Sequence, residues 1–192
     1  MTALVRADLM PLEEYARQRS AFRARVLGHK RDRQVAIGGH ARLYFEDRLT
    51  VLYQIQEMLR IERIFEADEI EAELAAYNPL IPDGGNWKAT FMLEYEDVEE
   101  RKFALARLHG VAEKVWAEVG GDRVFAVADE DMEREDPDKT SSVHFLRFDL
   151  TDAMIGAARA GQPIRMGIDH PHYRHDTVVP ETVRASLVAD LR

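Results

Sequence analysis

The chain is 192 residues long, carries 26 Lys and Arg against 35 Asp and Glu for a net charge of −9, and contains no cysteine. That composition excludes disulfide scaffolds, Cys-ligated zinc modules, thiol nucleophiles and cysteine-held iron–sulfur clusters within this chain. A hydrophobic content of 46% is ordinary for a globular protein, and the length suffices to bury one sizeable core.

The longest apolar run, Val124 to Ala128, is five residues, far short of the roughly 18 to 20 that a membrane span needs. Arg6 and Asp8 precede any apolar block, so no secretory signal is expected and the cytoplasm is the expected location. Charge is unevenly divided. Residues Met1 to Glu66 hold 12 basic and 9 acidic side chains and Ala67 to Arg192 hold 14 and 26, so a +3 head precedes a −12 body. Such a body disfavours nucleic acid as a partner and leaves room for a local anion-binding surface on the head.

In chain order, Pro11 opens a helix to about Leu27, because Leu12, Tyr15, Phe22 and Val26 recur on one face, and Gly28 is expected to end it. Val35 to Ile37 and Leu43 to Phe45, joined through Gly38-Gly39, predict a hairpin. Asp47 is placed to cap a helix from Leu49 to Phe65 whose two apolar stripes predict burial on more than one side. A helix over Asp68 to Ala76 is broken at Asn78-Pro79, and Pro82-Asp83-Gly84-Gly85 divides an N-terminal part, 1–82, from a remainder, 83–192.

The remainder reads as strand Lys88–Glu96, helix Asp97–Val119, strands Arg123–Ala128 and Val143–Leu150, helix Asp152–Ala160 and strand Ile164–Asp169. That β-α-β-β-α-β order predicts an α+β protein with a ferredoxin-like sheet half, on which the N-terminal helices and the hairpin pack as one compact unit. A last helix runs from Pro180 to Leu191. Asp129 to Asp138, with seven carboxylates in ten positions, lacks the glycine and ligand spacing of a calcium loop and reads as a solvated connection.

Lys30 to Gly38 (KRDRQVAIG), followed by Leu43 to Arg60 (LYFEDRLTVLYQIQEMLR), resembles the N-terminal signature of an uncharacterised bacterial family, domain of unknown function 3501. The resemblance brings no catalytic residues with it. It implies a neighbourhood, since genes of that family often lie beside those for a rubrerythrin-like diiron protein and an iron–sulfur oxidoreductase. The chain is not expected to be the diiron protein itself, because it contains no Glu-x-x-His pair.

Three groups of residues are candidates for chemistry. Asp169, His170, His172 and His175 lie in one short stretch; in extended chain His170 and His172 share a side, which suits a divalent metal such as zinc, iron, manganese or nickel. The competing reading is a polar loop leaving the last strand. Glu57 sits between the stripes of its helix, either as a general base raised by burial or as part of a buried network fixing the helices, with Arg60 within reach. Arg17, Arg19, Arg23, Arg25, Lys30, Arg31 and Arg33 place seven cations within 17 residues. Arg19, Arg23, Arg31 and Arg33, with Arg60, are expected to meet an acidic partner or a phosphate, against a reading as a solvated basic helix face.

No phosphate-binding loop, nucleophile elbow or His-Glu-x-x-His helix is present in the sequence. Two functions stay open. One is an accessory or interaction protein of an iron-dependent redox system, with rubrerythrin-like and iron–sulfur proteins as partners. The other is a metal-dependent enzyme or metal-binding protein acting on a small anion through the His-rich loop. A homodimer is expected if the hairpin edge is left uncovered.

Overall fold

The computed structural model describes residues 2–128 and 139–192. The acidic stretch 129–138 and its reading as a solvated connection lie outside the described residues. Helix α1 (Leu12–Arg31) starts at Pro11 as expected but runs three residues beyond Gly28, and His29, Lys30 and Arg31 supply positive charge to its last turn. Strands β1 (Gln34–Ile37) and β2 (Ala41–Phe45) form the expected hairpin. Asp47 caps α2 (Arg48–Glu62), its carboxylate accepting from the Leu49 and Thr50 N–H groups at 3.0 and 2.9 Å. Helix α2 stops three residues before Phe65 because Arg63 turns left-handed, with φ 56°. Helix α3 (Ala67–Tyr77) follows.

The protein is α+β, but its strands do not form one ferredoxin-like sheet. Strand β3 (Asn86–Leu93) pairs antiparallel with β2 on one side and with β7 (Val143–Asp149) on the other, so the hairpin extends the sheet instead of packing on it. The short β6 (Val127–Ala128) completes a five-stranded sheet in the order β1-β2-β3-β7-β6. A second antiparallel sheet has the order β5-β4-β8-β9, from β4 (Val115–Val119), β5 (Asp122–Phe125), β8 (Ile164–His170) and β9 (Tyr173–Val178).

Two departures from the sequence reading cause this partition. The helix expected over Asp97–Val119 ends as α4 (Val98–Arg107), since Gly110 sits at φ 70° and a 3-10 turn over Val111–Lys114 leads into β4. Val115, Ala117 and Val119 then bury against Ile168, Met166 and Ile164 of β8, so tertiary pairing overrides the helical reading. The strand expected over Arg123–Ala128 is broken at Ala126, whose N–H donates to the Val115 carbonyl at 2.8 Å, and the chain crosses there from one sheet to the other.

The inner faces of the two sheets meet in one core. Leu43, Phe45, Trp87 and Phe91 come from the first sheet and Val115, Ile164, Met166 and Ile168 from the second. Helices α5 (Asp152–Arg159) and α6 (Glu181–Ala189) add Met154, Val183 and Leu187, and the Trp87 indole N–H donates to the Leu187 carbonyl at 3.0 Å. On the outer face of the second sheet Trp116 lies over Gly167, where any side chain would collide with the indole, and the Arg123 guanidinium covers the ring at 3.6 Å. The N-terminal helices carry two smaller apolar clusters. One joins Leu4, Ile55, Leu59 and Leu74, the other Tyr15, Phe22 and Val26 of α1 with Leu49, Leu52 and Tyr53 of α2.

Candidate functional site

Glu57 lies where α1 and α2 cross, and its side chain is 14% exposed. Arg19 approaches it side-on, Nε to Oε1 at 2.8 Å and an Nη to Oε2 at 2.9 Å, in the paired geometry that suits a guanidinium and a carboxylate. The Tyr15 hydroxyl donates at 2.6 Å and Arg60 at 3.3 Å. Hydrogen bonding from Arg19 outweighs desolvation and, with Tyr15 and Arg60, brings the Glu57 pKa down to about 2. A base raised by burial would shift the other way. Near neutral pH Glu57 is thus held as an anion at the helix interface, where it engages Arg19 and Arg60, two of the arginines expected to meet a partner.

The sign of that shift sets an acid-stability prediction. A carboxylate whose folded pKa lies below its unfolded value adds stability above about pH 4.5, lost as pH falls toward about 2. Urea unfolding from pH 7 to 2.5 should show a steeper loss of stability below pH 4.5 in the native chain than in Glu57→Gln, the two curves converging in acid. Parallel curves would show that the interaction with Arg19 carries no net stability.

Arg33 is not a surface contact at all. It is 2% exposed, and its guanidinium lies between α6 and the N-terminus of α2. It bonds Asp190 at 2.5 Å, the Phe45 and Glu46 carbonyls at 3.1 and 3.0 Å and the Ser186 hydroxyl at 3.0 Å, and reaches Asp47 at 3.5 Å. Burial raises the Asp190 pKa against the opposing pull of Arg33. Burial also works to raise Asp47, but there Arg33, the Thr50 N–H and His29, whose Nε2 is 2.5 Å away, bring the net shift below the ordinary value. The expectation that Arg33 meets a partner is corrected: its guanidinium is buried and bonded to acceptors within the protein.

The His-rich stretch is the tip of the β8–β9 hairpin, not a loop. His170 is buried, and both of its ring nitrogens are engaged: Nε2 donates to the His109 carbonyl at 3.0 Å and Nδ1 accepts from the His172 backbone N–H at 3.2 Å. Donating at one nitrogen and accepting at the other defines a neutral imidazole, which agrees with a pKa lowered by burial. His172 Nδ1 faces the Arg107 guanidinium at 3.0 Å, His175 packs edge-on to Tyr173, and Asp169 points from the outer face to Arg123 at 3.2 Å. The four side chains do not converge, and among the described residues no group of three or more His, Asp or Glu is placed to hold a metal ion. Glu57, on α2, makes its hydrogen bonds to Tyr15, Arg19 and Arg60 instead.

The sequence reading missed the tie at this end of the sheets. The Tyr173 hydroxyl donates to the Ile37 carbonyl at 2.8 Å and accepts from the His40 N–H at 2.9 Å, joining β9 to the β1–β2 turn, and His40 stacks on Tyr95 at 4.2 Å. Gly38, at φ 71°, lets the turn pass over Tyr173 and His175. The glycine pair of the hairpin was the available signal, but it gives no partner.

Arg23, Arg25 and Arg31 are exposed on α1. No helix among the described residues is long and apolar enough to cross a membrane.

Comparison with solved structures finds a crystal structure titled as a novel protein of unknown function from Burkholderia pseudomallei K96243, 51% identical, with each chain covered over 100% of its length and a TM-score of 0.94. No curated protein matches the chain. A family model described as a protein of unknown function, DUF3501, matches residues 3–191, and this chain belongs to that family.

Proposed function

We propose that the protein is an accessory or interaction protein of an iron-dependent redox system, docking on acidic surfaces of its partners through the outer face of α1. One observation carries the reading: Arg23 and Arg31 stand exposed on that helix with no ion-pair partner among the described residues, while Arg19 and Arg60 are paired with Glu57 and Arg33 is buried against Asp190. Unpaired exposed guanidiniums on one helix steer and orient an acidic partner at little cost to the fold. The partners come from the family neighbourhood, a rubrerythrin-like diiron protein and an iron–sulfur oxidoreductase. With no cysteine here, any cysteine-ligated cluster belongs to the partner.

The test is co-purification of the full chain with those two proteins under reducing, iron-replete conditions. Association that weakens about tenfold in Arg23→Glu/Arg31→Glu and falls with added salt supports the reading. No association, or association indifferent to both changes, overturns it.

A further inference from the structure

The cleft between α1 and the start of α2 has the parts of a small-ligand site. Phe22, Leu49 and Leu52 form its floor, Met10 closes one end, Arg25 and Arg48 stand at its sides, and its cavity volume is about 720 Å³. Sites for small organic molecules run from roughly 300 to 1,000 Å³ and combine apolar walls with a few fixed polar groups. The walls here are held in place. The buried Gln56 accepts from the Met10 N–H at 2.6 Å and donates to the Met10 carbonyl at 3.3 Å, and Asp8 holds one end of the Arg48 guanidinium at 2.7 Å.

A second, independent observation points to what the cleft takes. Arg48 lines the cleft with its side chain 36% exposed, and Asp8 holds one nitrogen of its guanidinium. Arg25, across the cleft, has no ion-pair partner among the described residues, whereas Arg17 at the rim is tied to Glu14. Two guanidiniums beside an apolar floor are the recognition chemistry of a carboxylate carried on a hydrocarbon chain. A fully charged ligand would leave the floor uncovered, and a purely apolar one would leave the Arg25 charge unpaired.

We propose that this cleft binds a medium-chain carboxylic acid, the alkyl chain lying on Phe22, Leu49 and Leu52 and the carboxylate meeting Arg48 and Arg25. The inference stands apart from the docking reading, because it needs no partner protein.

The experiment is calorimetric and NMR titration of the full chain with sodium decanoate, alongside decanol and sodium acetate. Decanoate should bind saturably with one site per chain. Decanol should bind at least about tenfold more weakly, and acetate should give no saturable signal. Arg48→Gln should weaken decanoate at least about tenfold. Ala21→Trp, an exposed α1 position on the cleft wall that an indole would fill, should do the same with an unchanged melting profile. Equal binding of decanol would reduce the cleft to apolar adhesion, and equal binding of acetate to surface charge. Decanoate binding unaffected by Ala21→Trp would place it elsewhere. Each of these three results overturns the proposal, and none bears on the co-purification result.

Discussion

Arg33→Met should be among the most damaging single substitutions in the chain, lowering the unfolding free energy by about 3–5 kcal/mol, the range for removing one partner of a buried ion pair. The loss does not measure the strength of the pair. It arises because Asp190 and Asp47, both 7% exposed, keep their charge requirement after the cation has gone, and the Phe45 and Glu46 carbonyls lose a donor. Asp190 already sits above the ordinary carboxylate pKa in the intact protein. Without Arg33 it should rise further, so the variant should regain stability as pH falls through the Asp190 pKa, opposite to the Glu57 effect. Urea unfolding at pH 7 and pH 5 checks both statements. A double variant, Arg33→Met/Asp190→Leu, should recover a large part of the loss. If the double variant is as unstable as the single, the damage lies in packing and not in the stranded carboxylate.

Gly38→Val should cost about 2–5 kcal/mol, from roughly 1–2 for a branched residue in the left-handed region and about 1–3 for overpacking. At φ 71°, a Cβ on residue 38 would lie 2.6 Å from the Tyr173 hydroxyl and 2.8 Å from the His175 ring. The Tyr173 hydroxyl cannot yield without giving up its bonds to the Ile37 carbonyl and the His40 N–H, which tie the two sheets together here. Tyr173→Phe removes those bonds without touching the backbone and should cost only about 1–2 kcal/mol. Hydrogen exchange gives the position of the damage: protection should fall in β1 and β9 in both variants and stay native in α2 and α3. Uniform loss across the chain would mean that the turn is not a separable tie.

What the amino-acid sequence determined by itself was local. The Asp47 cap, the Pro11 and Pro180 helix starts, the β1–β2 hairpin and the part-buried position of Glu57 all follow from contacts within a turn or two, where propensity, capping and periodicity act directly. The resemblance over residues 30–60 likewise named the family that covers residues 3–191. The tertiary structure decided everything that depends on a distant partner. Val115 to Val119 continue an apolar pattern that fits a helix, and only β8, about 50 residues later, makes them a strand. Arg33 reads as one more cation in a basic run until Asp190, 157 residues away, draws it inside. His170 reads as a ligand until the His109 carbonyl takes its proton side and its own turn takes the other. The net charge of −9 separated into a basic head and an acidic body on inspection of the sequence, but which of the head's arginines remain available was settled by packing. A guanidinium is as readily consumed by a buried carboxylate as offered to a partner, and the local pattern is the same in both cases.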